Sequence, residues 1–125
     1  MTRLRTTLAL RLALAVSAVW LAVPAAAQET IKIGFFAPIT GPVAADGASA
    51  KQSVDLAVKE VNAAGGILGK KVELIVYDDR LNPQEAVAIA NKLIEKDQVV
   101  GVVSGSYSGP TRVTAPIFAK ADYGI

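Results

Sequence analysis

The residues best suited to bind a small molecule form a short string near the end of the sequence, where three serines, a tyrosine and two glycines occur together. The candidate ligand-binding residues of this string are Ser104, Ser106, Tyr107, Ser108 and Gly109. If a helix starts here, its free backbone N–H groups and its dipole favour an anion. A ligand carboxylate is the obvious candidate, although Ser108 taken alone could instead be the N-cap of its own helix.

The same string superficially matches the nucleophile elbow of an esterase, but the centre of that motif must be serine and here it is Tyr107. The chain has no histidine to activate a serine and no cysteine to supply a thiolate. The G-x-G-x-x-G motif that binds a dinucleotide is also missing. The residues therefore argue against a hydrolase or a nicotinamide enzyme, and we expect no cofactor.

Asp78 and Asp79, which follow the second predicted strand, form another candidate group. Such a pair could bind a metal ion or belong to a phosphoacceptor pocket. A phosphoacceptor sheet, however, carries its acidic pair after the first strand and a lone aspartate after the third, where Ser104 stands here. We therefore expect structural carboxylates that hydrogen-bond to the backbone or pair with Arg80 or Lys70, and no metal site.

Three strand patterns and three helix patterns must position these residues. Apolar, β-forming runs predict strands at 31–36, 71–77 and 99–103. The first helix, beginning near residue 48, has an apolar stripe at helical spacing and ends where glycines can close it. That stripe consists of Val54, Ala57, Val58 and Val61.

The second helix begins at an Asn-Pro pair. Asn82 is its predicted N-cap, Pro83 suits the first helical position, and Glu85 can reach back to the cap. Its predicted buried stripe consists of Ala86, Ile89, Ala90, Leu93 and Ile94. A third helical stretch begins at about Pro110, and the internal Pro116 should kink it.

The order βαβαβα predicts an open, parallel, three-layer α/β sheet with the first strand between its two successors. In such a sheet, ligands lie beyond the carboxyl ends of the strands, near the point where the strand order reverses. The loops at 37–47 and 104–109 flank that point. We therefore expect these two loops to form the binding site.

The first 27 residues have the pattern of a cleavable secretory signal peptide. Arg3, Arg5 and Arg11 supply a positive start, residues 8–23 are apolar, and Pro24 precedes Ala25-Ala26-Ala27. We expect cleavage after Ala27 rather than a retained anchor, because the uninterrupted apolar run is shorter than the roughly 20 residues of a spanning helix. The mature chain would then be residues 28–125.

The charge of the mature part is balanced. Three of the thirteen Lys and Arg residues belong to the leader, so ten remain against eleven Asp and Glu residues. Charges of both signs are interspersed, unlike the basic surface of a nucleic-acid-binding protein. We expect no nucleic-acid partner.

Four motifs occur together in the mature part: Thr40-Gly41-Pro42, Asn62-Ala63-Ala64-Gly65-Gly66-Ile67, Tyr77-Asp78-Asp79 and Asn82-Pro83. With them, residues 31–125 resemble the type I periplasmic solute-binding proteins of branched-chain amino-acid ABC importers. The resemblance implies two α/β lobes that close on a ligand, no catalytic activity, and delivery of the ligand to membrane permease subunits. It also implies that the mature protein is periplasmic and that residues 28–125 are the incomplete N-terminal part of the first lobe.

The resemblance assigns roles to individual residues as well. In the family, the loop after the third strand grips the ligand carboxylate with a serine hydroxyl and main-chain N–H groups. This points to Ser108 beside Gly109, with Ser106 as the alternative, and Tyr107 could line the pocket. Asp46 stands where amino-acid binders commonly have an aromatic or apolar residue, so it faces either a polar or cationic ligand group or solvent.

Three functions are open at this point. The first is the ligand-binding component of an ABC importer, with a ligand among amino acids, amides and small organic acids. The second is an exported sensor of the same fold that signals through a partner protein. The third is an exported α/β enzyme whose catalytic groups lie beyond Ile125.

Overall fold

The computed structural model describes residues 29–104 and 107–121. Their elements are β1 (Ile31–Ala37), α1 (Ala44–Ala63), β2 (Val72–Asp78), α2 (Pro83–Lys92), a π-helical turn (Leu93–Asp97), β3 (Gly101–Ser104) and α3 (Ser108–Lys120). The predicted alternation of strands and helices is confirmed, and the π-helical turn is an addition to it. The predicted leader and Ser106 lie outside the described residues.

The three strands form one parallel sheet in the order β2-β1-β3. Ala37 at the end of β1 pairs with Asp78 at the end of β2, and Phe36 pairs with Ser104 at the end of β3. The predicted central position of β1 is confirmed. Because the strands are parallel, their carboxyl ends meet at one edge of the sheet, where the candidate loops begin.

One face of the sheet packs against α2 and α3 to form the hydrophobic core. Phe36, Leu93 and Phe118 are at most 1% exposed, and the rings of Phe36 and Phe118 stack with centroids 6.4 Å apart. Burying a side chain of this size contributes about 1.5–3 kcal/mol. The other members of the core are Ala86, Ile89, Ala90, Val99 and Val102. The predicted stripe of α2 is confirmed, except that Ile94 is only partly buried.

The opposite face of the sheet packs against α1, which contacts both β1 and β2. The fold therefore has the expected three layers. The predicted α1 stripe lines a groove of about 330 Å³ against the sheet residues Ile33, Val72 and Val103. This layer is less closed than the other, since Val103 remains 45% exposed.

Helix ends follow the local sequence signals in part. The Asn82 side chain caps α2 as predicted, by accepting hydrogen bonds from the N–H groups of Gln84 (2.9 Å) and Glu85 (3.4 Å). Glu85 does not complete a capping box; its carboxylate pairs with Arg80 at 3.5 Å, and the Asn82 N–H donates to the Asp79 carbonyl. No helix within the described ranges has both the length and the apolar character needed to cross a membrane.

Candidate functional site

Two residues that the sequence singled out, Asp46 and Tyr107, meet at the carboxyl edge of the sheet. Asp46 lies in the first turn of α1, and Tyr107 immediately precedes α3. The Tyr107 hydroxyl donates a hydrogen bond of 2.5 Å to Asp46 Oδ2, across 61 residues of sequence. This bond raises the pKa of Tyr107, because the carboxylate stabilises the protonated phenol. The start of α1 and the start of α3 are thereby connected.

The hydroxyl of Ser104 is used to attach β3 to α3. Its Oγ lies 2.8 Å from Thr111 Oγ1, and Thr111 Oγ1 donates to the Tyr107 carbonyl, also at 2.8 Å. Since a threonine hydroxyl has one proton, Ser104 is the donor in its bond to Thr111. Thr111 is therefore a residue of this edge that no sequence motif indicated, because a threonine inside a helix has no distinctive signal.

Ser108 and Gly109 are the first two residues of α3, and both are exposed. The interpretation of Ser108 as the N-cap is wrong, since Tyr107 occupies that position with an extended backbone. The first intrahelical bond runs from the Thr111 N–H to the Tyr107 carbonyl, and Pro110 has no N–H. Within the described residues, the N–H groups of Ser108 and Gly109 and the Ser108 hydroxyl have no partner and can face a ligand.

The loop after β1 is held in place by Asp78. The Asp78 carboxylate accepts hydrogen bonds from the N–H groups of Ile39 (2.9 Å), Thr40 (3.3 Å) and Arg80 (3.0 Å), and from the Thr40 hydroxyl (2.5 Å). Partial burial opposes ionisation, but these hydrogen bonds outweigh it and hold the pKa of Asp78 below its usual range. Asp78 therefore fixes the loop that leads into α1 and Asp46.

Asp79 has a structural role at the same edge. It is 2% exposed, its Oδ1 accepts from the Leu81 N–H at 2.9 Å, and its own N–H donates to the Ala37 carbonyl. Burial raises its pKa. The predicted backbone hydrogen bonding of both aspartates is confirmed, whereas Arg80 pairs with Glu85 and Lys70 with Glu29. No cluster of three or more potential metal ligands occurs within the described ranges.

These contacts define a class of site. The carboxyl edge of a parallel sheet carries backbone N–H donors and a serine hydroxyl beside α3, and a hydrogen-bonded carboxylate and phenol beside α1. Groups of these types can bind and orient a small polar molecule, and they lie at the position where open α/β sheets usually bind ligands. The chain is thus an open α/β unit with a candidate ligand site at this edge.

The chain belongs to the periplasmic binding protein family, whose family model matches residues 30–123. Over 92 residues it is 39% identical to a leucine-, isoleucine-, valine-, threonine- and alanine-binding protein of Pseudomonas aeruginosa, covering 74% of this chain and 24% of the relative.

Solved structures give the same relationship. A branched-chain amino-acid transporter substrate-binding protein of Streptococcus pneumoniae, in complex with isoleucine, matches with a TM-score of 0.73 and 37% identity over 76% of this chain and 27% of that one. A solute-binding protein of an ABC transporter from Rhodopseudomonas palustris, in complex with 3,4-dihydroxybenzoic acid, matches with a TM-score of 0.69 and 28% identity over 75% and 25%. The chain spans about a quarter of the length of these proteins.

Proposed function

We propose that the complete protein is the substrate-binding component of an ABC importer. It captures an amino acid or a related small carboxylate or amide in the periplasm and delivers it to the membrane permease subunits. The observation that carries this proposal is the match of residues 30–123 to the periplasmic binding protein family. The Asp46–Tyr107 contact, which joins the start of α1 to the start of α3, supports a ligand site at this edge of the sheet.

The ligand classes follow from the relatives. The Pseudomonas aeruginosa relative is a binding protein for five amino acids, and the related structures contain isoleucine or an aromatic acid. Their named ligands share a carboxylate. A carboxylate-bearing ligand held between this lobe and a second one is the simplest common mechanism, and it requires binding groups but no catalytic ones.

The ligand carboxylate would lie at the start of α3. The N–H groups of Ser108 and Gly109 and the Ser108 hydroxyl would donate to it, and the positive end of the helix dipole would favour its charge. Ser106 is the alternative source of the hydroxyl. Tyr107, half-buried and held by Asp46, would form the adjacent wall of the pocket.

We predict that Ser108→Ala weakens ligand binding in the complete protein without lowering its thermal stability. A hydrogen bond to a charged carboxylate contributes about 1.5–3 kcal/mol, which corresponds to roughly ten- to a hundredfold in affinity. Stability should be retained because Ser108 is not the N-cap of α3. Calorimetric titration with the best ligand from a screen of amino acids, amides and small organic acids measures the affinity, and thermal melting measures the stability.

Ser106→Ala and Ser49→Ala are the companion variants. Ser49 is an exposed serine of α1 outside the proposed site, so its replacement should leave affinity unchanged. A loss with Ser106→Ala alone would move the hydroxyl contact to Ser106. Unchanged affinity in both site variants would contradict carboxylate binding at this loop, and a complete protein that binds nothing in the screen would contradict the proposed function.

Export should remove residues 1–27. Small residues occupy the positions before the bond between Ala27 and Gln28, and an apolar segment with a positive start precedes them. We predict that protein recovered from the periplasmic fraction begins at Gln28, which N-terminal sequencing would establish. Protein that begins at Met1 would contradict the assignment of a cleaved leader.

A further inference from the structure

The hydrogen bond between Asp46 and Tyr107 uses the only proton that this pair of side chains can donate. Tyr107 has one hydroxyl proton, which it gives to Asp46 Oδ2 over 2.5 Å, and an ionised carboxylate has none. A ligand that reaches the pair therefore meets the second carboxylate oxygen and the lone pairs of the phenol oxygen. The pair is a surface of acceptors that carries a negative charge.

This negative charge has no ion-pair partner within residues 29–104 and 107–121. The ion pairs in those ranges join Lys51 with Asp55, Lys70 with Glu29 and Arg80 with Glu85, and none of them includes Asp46. Asp46 is exposed, so water solvates it while the site is open. Closure over a ligand would remove that water, and an acceptor buried without a donor is strongly unfavourable.

The two sides of the site thus favour different ligand groups. Beside α3, the N–H groups of Ser108 and Gly109 suit an anion. Beside α1, Asp46 and Tyr107 suit a group that brings its own proton. An aliphatic amino acid suits only the α3 side, through its carboxylate. Its methyl groups would desolvate the Asp46 carboxylate without replacing the hydrogen bonds that this carboxylate makes to water.

We propose, on the basis of the proposed function, that Asp46 and Tyr107 select carboxylate ligands with a hydrogen-bond donor on the side chain or ring, either a hydroxyl or an ammonium group. Asp46 already accepts a phenol hydroxyl in this structure, that of Tyr107, so the contact chemistry is present. Tyr107 positions the Asp46 carboxylate, and this carboxylate accepts a hydrogen bond from the donor group of the ligand.

The test compares ligands that differ only in this donor. Lysine and norleucine form one pair, and 4-hydroxybenzoate and 4-methylbenzoate form the other; each is titrated calorimetrically into the complete protein. We expect the donor-bearing member of at least one pair to bind roughly tenfold more tightly, as loss of a hydrogen bond to a charged group predicts. A preference in the lysine pair identifies an ammonium group, and a preference in the benzoate pair identifies a hydroxyl.

Asp46→Leu should abolish that preference, and Asp46→Asn should reduce it more for an ammonium than for a hydroxyl. Tyr107→Phe should reduce the preference less than Asp46→Leu does, since the Asp46 carboxylate remains but is no longer positioned by the phenol. Asp55→Leu is the matched control: Asp55 is an exposed aspartate of the same helix that pairs with Lys51. Thermal melting of each variant verifies that it is folded.

Two results would overturn the inference: no preference for the donor-bearing member in either pair, or a preference that persists in Asp46→Leu. The proposed function survives either result as long as an aliphatic amino acid or another member of the ligand screen binds. It fails together with the inference only if no member of the screen binds.

Discussion

Adjacent aspartates at the edge of the sheet have pKa values that shift in opposite directions. Asp78 accepts four hydrogen bonds, which outweigh its partial burial and lower its pKa. Asp79 is buried with one side-chain hydrogen bond, from Leu81, and burial together with the nearby charges of Asp78 and Glu85 raises its pKa. Ionised Asp78 therefore stabilises the loop after β1, whereas ionisation of Asp79 opposes folding.

We predict that Asp78→Ala destabilises the complete protein by about 1–3 kcal/mol at neutral pH, because several N–H donors lose their acceptor. A carboxyl whose folded pKa is lowered stabilises above its unfolded pKa, and this contribution is lost as the pH falls through the folded pKa. The difference in free energy of unfolding between wild type and Asp78→Ala should therefore become smaller at acidic pH. Denaturant titrations from neutral pH to about pH 2 measure it, with Asp55→Ala as the control for an exposed aspartate. A pH-independent difference would contradict the role of the charge.

Sequence reasoning identified residue types at the site but not their partners. The structural role of Asp78 and Asp79 follows from their position after a strand, where short carboxylates commonly accept backbone N–H groups. The bond from Tyr107 to Asp46 spans 61 residues and depends on how α1 and α3 pack beside the sheet, so no local pattern could reveal it. The link from Ser104 to Thr111 was missed for the same reason.

At the scale of elements, the start of α1 depends on Gly47. A Cβ at this position would lie 2.1 Å from the Pro38 carbonyl oxygen and 2.6 Å from its carbon, both backbone atoms of the loop after β1. The first turn of α1 can therefore approach that loop only because residue 47 has no side chain. This close approach also places Asp46, the preceding residue, at the carboxyl edge of the sheet.

We predict that Gly47→Ala lowers the stability of the complete protein by about 1–3 kcal/mol, because the backbone must move to relieve the overlap. Helix propensity alone would instead favour alanine over glycine. Gly109→Ala is the matched control, since a Cβ at that helical position meets no atom within 4 Å. Thermal melting compares the two variants. Equal stability of Gly47→Ala and wild type would contradict the close contact.

The order of strands and helices was predictable from the sequence. The start of a helix was predictable where the sequence contains a capping residue. The Asn82-Pro83 pair gave the start of α2 correctly. The start of α1 at Ala44, rather than near residue 48, was missed because Val43 caps the helix without a side-chain hydrogen bond. The π-helical turn at Leu93–Asp97 also has no sequence signal, and its C-cap is Gln98, whose backbone is left-handed.

At the scale of the whole molecule, the two faces of the sheet are covered unequally. The burial of the face toward α2 and α3 was predictable from the apolar stripe of α2, and Phe36 and Phe118 are buried at its centre. The face toward α1 carries a groove of about 330 Å³, and it leaves Val103 of β3 45% exposed. Apolar surface of this kind, beside a strand, favours association with other polypeptide surfaces.

We predict that a polypeptide of residues 28–125, produced by itself, associates or aggregates and has no measurable affinity for amino acids. Within the described residues β3 pairs with β1 alone, so its other edge can recruit a second chain beside the apolar groove. A ligand of this family would also be held from one side, whereas small-molecule sites usually bury most of the ligand surface. Light scattering measures the association, and calorimetry with leucine measures the binding. A monodisperse, cooperatively melting monomer would contradict the inference that the open edge of β3 and the apolar groove cause association. Binding of leucine at micromolar concentration would contradict the need for a second lobe.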